Sequence, residues 1–368
     1  MRSCCCYRPM AEAEGLLFPG DPVGCLPYAH GGPHLQGRLR ARPENFRVEE
    51  ILGYPLTGIG EHLVLKVEKR GLNTLEAVQR IARWAGVKPV SVGFAGLKDR
   101  NAVTVQHFSV PLSPSETASL ALLQGSTLKV LDVTRHHQKL RRGQLAGNRF
   151  VLNLTSITGD PAIAEERLER IRDRGVPNYF GPQRFGNNAS NLTGARSLLS
   201  GQIGNPKPEQ RRMWLSAARS HVFNQVLACR VKDDSWNRAL PGEVLIATRD
   251  GRQLIAPSRS SGLEARMEKA EFNPSGLLPG RSGHCLSPEG EAAECEALCI
   301  AAHSVEDWCE ALSALRVDAG RRPLRVLPQA LRWAWSDQHT LSLEFGLSAG
   351  SYATAVVREL MSAPLARQ

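Results

Sequence analysis

The stretch GFAGLKDRNAVTVQ, residues 93–106, runs two short strand-like segments into a loop of small residues that carries one acid. Gly93, Ala95 and Gly96 have minimal side chains, so the backbone there can turn sharply and something bulky can approach it. Asp99 sits between Lys98 and Arg100, and a carboxylate among cations is fit to act as nucleophile or base. The same Lys-Asp-Arg run also suits a solvated turn. On either side, residues 90–94 and 103–110 read as short strands.

Upstream of this loop, Phe46, Val48 and Ile51 alternate against charge, and residues 62–68 (HLVLKVE) alternate again. Asn73 caps a helix over 74–85 with Leu75, Val78, Ile81 and Trp84 on one stripe, and Gly86 ends it. Downstream, strands over 128–135 and 149–154 flank a basic connection, and a helix opens at Asp160. The character changes at Gly175. Helices follow over 192–200 and 211–231, then a turn-rich stretch, then a helix over 289–315. Strands return at 324–326, 329–335 and 339–344, and a helix covers 351–361. Strands at both ends with helices between predict an α+β fold in which a mixed sheet is interrupted by an inserted, mostly helical domain.

A chain of 368 residues exceeds one ordinary core, and 42% hydrophobic residues suffice for two. No apolar run reaches the ~18–20 residues of a membrane span. Residues 1–20 lack the apolar stretch of a secretory signal, so the expected location is cytoplasmic. The net charge of +10, contributed mainly by arginine, favours a polyanionic partner. Nine cysteines without a secretion signal imply reduced thiols. Cys4, Cys5 and Cys6 lie in a ragged start, where Met10 is an alternative initiator. Cys295, Cys299 and His303 recur every four residues beside His284, Cys285 and Cys309, yet lack the short paired spacing of a zinc site. No metal is expected.

Three further stretches carry candidate chemistry. Residues 136–149 gather Lys139, Arg141, Arg142 and Arg149 around two glycines, which suits a phosphate-backbone clamp or a solvated basic loop. Phe150 follows, able to face a ligand or the core. Residues 177–186 (PNYFGPQRFG) set Tyr179 and Phe185 on a Gly-rich frame, either as packing at a domain junction or as stacking faces for bases. Residues 345–360 (FGLSAGSYATAVVREL) lead from a small-residue loop into a helix, whose N-terminus can hold a phosphate or a base carbonyl.

Together these segments resemble the TruD family of pseudouridine synthases. GFAGLKDRNAVTVQ is similar to that family's characteristic loop, and PENFRVEE (43–50) to its N-terminal strand. KLRRGQLAGNRF (139–150), PNYFGPQRFG, WLSAARSHVFNQVL (214–227) and GSYATAVVREL (350–360) follow in the family's order. The resemblance covers residues 37–361. It implies a pseudouridine-synthase catalytic domain, mostly antiparallel, at 37–173 and 327–368, an inserted family-specific domain at 174–326, and an irregular lead-in at 1–36. It further implies an isomerase that converts the uridine at position 13 of tRNA into pseudouridine, as a monomer, without cofactor.

Residue by residue, Asp99 matches the essential aspartate. Phe150 matches the aromatic facing the target base, and Asn148 a substrate-contacting amide. Phe46 and Tyr352 match aromatics lining the pocket, and Arg40 stands where a lysine able to pair with the aspartate is common. A non-catalytic tRNA-binding or RNA-folding module is the alternative, because a basic surface with aromatics serves that role equally well. A metal-dependent RNA hydrolase would want a carboxylate or histidine cluster that the Asp99 loop lacks.

Overall fold

Alternating apolar residues become paired strands, and the 3.6-residue stripes become the helices that cover them. The computed structural model describes residues 22–113, 119–257, 262–283 and 285–362. The chain begins with β1 (Leu35–Arg38), β2 (Phe46–Leu52), β3 (His62–Arg70), α1 (Thr74–Trp84) and β4 (Gly93–Phe94). Next come β5 (Val103–Pro111), β6 (Leu128–His136), β7 (Leu145–Thr158) and α2 (Pro161–Arg174). The middle comprises β8 (Val176–Pro177), α3 (Ser190–Leu199), α4 (Pro208–Lys232), β9 (Val244–Ala247), β10 (Gln253–Ile255) and α5 (Leu263–Glu268). It continues with β11 (Phe272–Leu278), α6 (Gly290–Ala302), α7 (Glu306–Ala314), β12 (Gly320–Pro323) and β13 (Arg325–Val326). The close is β14 (Gln329–Asp337), β15 (Thr340–Ser348), α8 (Ala353–Leu360) and β16 (Met361–Ser362).

Two compact units result. One holds residues 33–172, 328–353 and 360–362, and the other holds 22–32, 173–327 and 354–359. The expected irregular lead-in to residue 36 divides differently. Residues 35–38 form β1, which pairs with β7 and β16, a strand that the preceding Gly31, Gly32 and Pro33 obscure. Residues 22–32 join the second unit, where the Glu359 carboxylate accepts the backbone N–H groups of Ala29 and His30 at 3.1 Å each.

In the first unit, ten strands among the described residues form one sheet of order β14-β15-β7-β2-β5-β3-β6, with β1, β4 and β16 at its side. The fold is α+β and the sheet mixed: β2 runs parallel to β5 and β1 to β16, while the other pairings are antiparallel. Leu65, Val67, Phe108 and Val110 pack on Ala77, Val78, Ile81 and Ala82 of α1. Each large side chain so buried contributes about 1.5–3 kcal/mol. Asn73 caps α1 by accepting the Glu76 N–H at 2.8 Å, while Glu76 accepts the Asn73 N–H. Leu75, expected on the buried stripe, is exposed; Ala77 and Ala82 take the close contact with the sheet instead.

The second unit has its own sheet, β10-β9-β11-β12, beside the long α4. Val222, Phe223, Val226 and Leu227 of α4 are buried, and a Cβ at Gly276 of β11 would lie 3.1 Å from the Phe223 ring. Tyr179, Phe180 and Phe185 are all buried here. Asn224 accepts from the Phe180 N–H and donates to its carbonyl, so this aromatic segment serves as packing. The expected single helix over 289–315 is two, because Ser304 between α6 and α7 adopts a left-handed φ of 50°.

Candidate active site

Strand parity places the functional groups. Register pairs Val48 with Phe150 and Thr104, Phe150 with Phe345, Glu50 with Asn148, and Lys69 with Thr104. Directly paired residues share a sheet face. That face therefore carries apolar residues under α1 and polar ones, Glu50, Lys69, Thr104, Gln106 and Asn148, where the 95–102 loop crosses.

That loop is anchored at Ala95, Gly96, Lys98, Asp99 and Arg100. Thr74 Oγ1 accepts the Lys98 N–H at 2.9 Å and donates to Gln106 Oε1 at 3.2 Å. Gln106 Nε2 in turn donates to the Gly96 carbonyl at 2.5 Å. Lys98 Nζ lies 3.1 Å from Glu50 Oε2, with side-chain exposures of 6% and 0%. Glu50 also accepts the His107 backbone N–H at 3.2 Å. Burial opposes ionisation of Glu50, but the His107 hydrogen bond and the Lys98 charge outweigh it and hold the carboxyl below its ordinary range. Lys69 Nζ donates to the carbonyls of Leu72 at 2.8 Å and Asp99 at 3.4 Å.

On this frame Asp99 projects outward, its side chain 47% exposed, with Oδ2 2.9 Å from Arg40 Nη2. The Arg40 guanidinium lies 3.9 Å from the Phe46 ring centre. Phe150 meets Phe46 edge-on at 6.2 Å and stacks against Phe345 at 5.5 Å. The Arg40 Nε, Thr104 Oγ1 and Asn148 Oδ1 atoms are buried without a partner among the described residues. Buried polar atoms of that kind leave hydrogen-bonding capacity for a water or a polar ligand. Tyr352 is half-buried in the loop between β15 and α8, and that loop is tied to β7 through Ala349 N–H to the Ala146 carbonyl at 3.0 Å.

The basic loop packs beside the Asp99 loop. Gly143 N–H donates to the Ala95 carbonyl at 2.8 Å, Leu140 N–H donates to Ser109 Oγ at 2.9 Å, and Lys139 Nζ donates to the Val90 carbonyl. A Cβ at Gly93 would lie 2.4 Å from both the Leu140 carbonyl and Ser109 Oγ, which explains the glycine there. Arg141 and Arg142 are exposed, and the Arg142 guanidinium lies 5.1 Å from the Phe94 ring centre. Arg149 is not gathered with them. Its parity is opposite to that of Phe150, and it pairs with Glu344 at 2.7 Å and Glu49 at 3.9 Å on the other face of the sheet.

Five supporting residues were not among the expected site residues: Glu50, Lys69, Thr74, Thr104 and Gln106. For Glu50, Lys69, Thr104 and Gln106 the signal in the sequence is a polar residue in the inward register of an apolar strand, as in FRVEE, HLVLKVEK and VTVQHF; Thr74, the first residue of α1, carries no such signal. In the second unit, Cys229 Sγ of α4 lies 3.5 Å from His303 Nε2. Cys295 and His303 are eight residues apart, about 12 Å along a helix, too far to share one ion. His284 lies outside the described residues, as do Cys4, Cys5, Cys6 and Met10.

A sequence model of the family described as tRNA pseudouridine synthase D (TruD) matches residues 22–205 and 200–360. The chain therefore belongs to the pseudouridine synthases and, within them, to the TruD family. It is 41% identical over 338 residues to the tRNA pseudouridine synthase D of Hydrogenovibrio crunogenus, covering 92% of this chain and 96% of that one. The Methylococcus capsulatus protein of the same description is 44% identical over 336 residues, covering 91% and 94%. A solved structure from Methanosarcina mazei, provisionally designated tRNA pseudouridine synthase D, superposes with a TM-score of 0.68 at 22% identity, covering 92% and 96%. At that identity the likeness speaks for the fold.

Proposed function

We propose that the chain isomerises the uridine at position 13 of tRNA to pseudouridine, with Asp99 as the reactive carboxylate. The observation that carries this reading is the Asp99 carboxylate itself, exposed yet mounted on a loop anchored by Thr74, Gln106, Lys98 and Lys69. An acid so held is preorganised for chemistry rather than for stability. A uridine in folded RNA must be swung out of its stack to reach such a group. Asp99 acts as nucleophile or base while the N1–C1′ bond breaks; the uracil turns, C5 bonds to C1′, the C5 proton leaves, and N1 gains a proton, so the product is an isomer of the substrate.

Phe150, backed by Phe46 and Phe345, presents an aromatic wall to the base, and Tyr352 lies on the adjoining loop. The unpartnered Asn148 Oδ1 suits an N–H on the edge of the uracil, and Arg40 holds the charge of Asp99. Lys139, Arg141 and Arg142 take phosphates; Arg149, paired on the other face, is the weakest member of that set. The chemistry asks for no metal or cofactor. Among the described residues no helix is long and apolar enough to cross a membrane, and the reading has the chain act as a monomer in the cytoplasm, where tRNA is.

The deciding experiment substitutes Asp99→Asn and measures tRNA affinity and pseudouridine formation together. Retained affinity with no pseudouridine supports the enzyme. Undiminished pseudouridine in that variant would falsify the role of Asp99. Wild-type protein that binds tRNA without modifying it would leave the binding-module reading instead.

A further inference from the structure

Lys69 is an ionisable side chain buried to 1% exposure, and among the anchors of the Asp99 loop it is the one whose ammonium bonds the Asp99 backbone itself. It occupies the inward register of β3, where Leu65 and Val67 pack under α1, so an apolar residue would fit that position without desolvating an amine. Its ammonium donates to two carbonyls, Leu72 at 2.8 Å and Asp99 at 3.4 Å. These belong to separate segments: Leu72 lies just before α1, and Asp99 at the crest of the reactive loop. One buried cation thus clasps the α1 lead-in to the residue that carries the chemistry.

We propose that Lys69 is a positioning residue for the isomerisation, locking the backbone of Asp99 so that its carboxylate stays aimed at Arg40 and the aromatic wall. This rests on the reading of Asp99 as the reactive carboxylate. The carboxylate of Asp99 is half-exposed and its only ion-pair partner among the described residues is Arg40, so backbone anchorage must supply much of its orientation. A displacement of about 1 Å in a reacting group costs on the order of 100-fold in rate.

The clasp is strongest in the ammonium form, because a charged donor bonds a carbonyl about twice as strongly as a neutral amine does. Burial pushes the Lys69 amine down to about 8; Asp99, Glu76 and Glu50 act in the opposite direction, and Lys98 adds to the depression. The clasp therefore loosens as pH rises through about 8. Stability moves the other way. The folded value lies below the unfolded one, so burying the charge costs stability below about 8, and that cost fades between about 8 and 10.5. Rate and stability thus respond to alkali with opposite signs, which a lysine serving only the fold would not produce.

The test compares wild type, Lys69→Met and Lys69→Arg in single-turnover pseudouridine formation on tRNA, with tRNA affinity and thermal melting measured in parallel. Lys69→Met should lose about 10- to 100-fold in rate with tRNA affinity unchanged. The wild-type rate should fall above pH 8, and Lys69→Arg, whose guanidinium keeps its charge, should carry its plateau to higher pH. A Lys69→Met enzyme with wild-type rate overturns the proposal, as does an alkaline limb unmoved in Lys69→Arg. Rate and affinity falling together, in step with melting temperature, overturn it as well. If Lys69→Met does not fold, the pH profile of Lys69→Arg decides alone. Full activity in Asp99→Asn would instead sink the underlying reading of the site, so the two failures are distinguishable.

Discussion

Asp99 Oδ2 lies 2.9 Å from Arg40 Nη2, and the two side chains differ in exposure, 47% for the acid and 15% for the arginine. Arg40 holds a left-handed φ of 64°, and its guanidinium covers the Phe46 ring at 3.9 Å. The cation is thus fixed from behind while the carboxylate reaches forward. A pair with one solvated partner adds at most about 1 kcal/mol to stability. Its worth lies in where it holds the acid.

Arg40→Met should therefore act on turnover rather than on folding. A loss of about 10- to 100-fold in kcat is expected, with the melting temperature nearly unchanged. Arg40→Lys restores the charge but neither the planar fork nor the stacking on Phe46, so it should recover only part of that loss. Single-turnover kinetics of the two variants beside wild type check the order.

The Glu50–Lys98 pair obeys different rules, because both side chains are buried. Glu50→Gln removes one charge and leaves Lys98 and the His107 N–H facing a weaker acceptor. Breaking such a pair costs about 3–5 kcal/mol. The pH dependence follows from the depressed value of the Glu50 carboxyl. Its contribution is fully present above the unfolded value near 4.5 and is lost as pH falls through the lower folded one. Urea unfolding from neutral to acid pH should show a wild-type stability that drops on acidification, and a Glu50→Gln curve that starts lower and drops less.

Much of this site was open to reading from residues alone. Alternation located the strands, and the small residues around Asp99 marked the loop. The fixed period of two also separates Arg149 from Phe150: neighbours in a strand face opposite sides, so a basic cluster running into the strand cannot share one surface. Glu50 and Lys69 sit at inward positions in FRVEE and HLVLKVEK, a pattern that flags a buried charge without naming its partner. The partners were not legible. Arg149 meets Glu344 from 195 residues away, and Glu165 meets Trp333 from 168 away. No local period encodes which distant strand arrives beside which.

The last of those contacts is a stability element. One carboxylate, Glu165 of α2, accepts the indole N–H of Trp333 at 2.6 Å and of Trp335 at 2.7 Å, one on each oxygen. Arg172, two turns further along α2, lies 5.7 Å from the Trp333 ring centre. Glu165→Ala deprives two half-buried donors of their acceptor, at about 1–3 kcal/mol for each donor left unsatisfied. The expected result is a lowered urea midpoint in a variant whose Asp99 loop, and hence its rate per folded molecule, is untouched. A change in tryptophan fluorescence of the folded state should accompany it.

Arg141 and Arg142 are exposed on a loop that Gly143 ties to Ala95, a few residues from Asp99. Arg149, by contrast, is neutralised by Glu344 and Glu49. If phosphate contacts dominate tRNA affinity, binding weakens linearly in log–log form with salt, and each lost contact flattens the slope by about one. Arg141→Ala and Arg142→Ala should each weaken binding at low salt and reduce that slope. Arg149→Ala should leave the slope as it was, because a guanidinium already paired with carboxylates releases few counterions from RNA. Filter binding across a salt series separates the two outcomes. A slope lowered by Arg149→Ala and not by the other two would move the RNA-facing surface to the opposite side of the sheet.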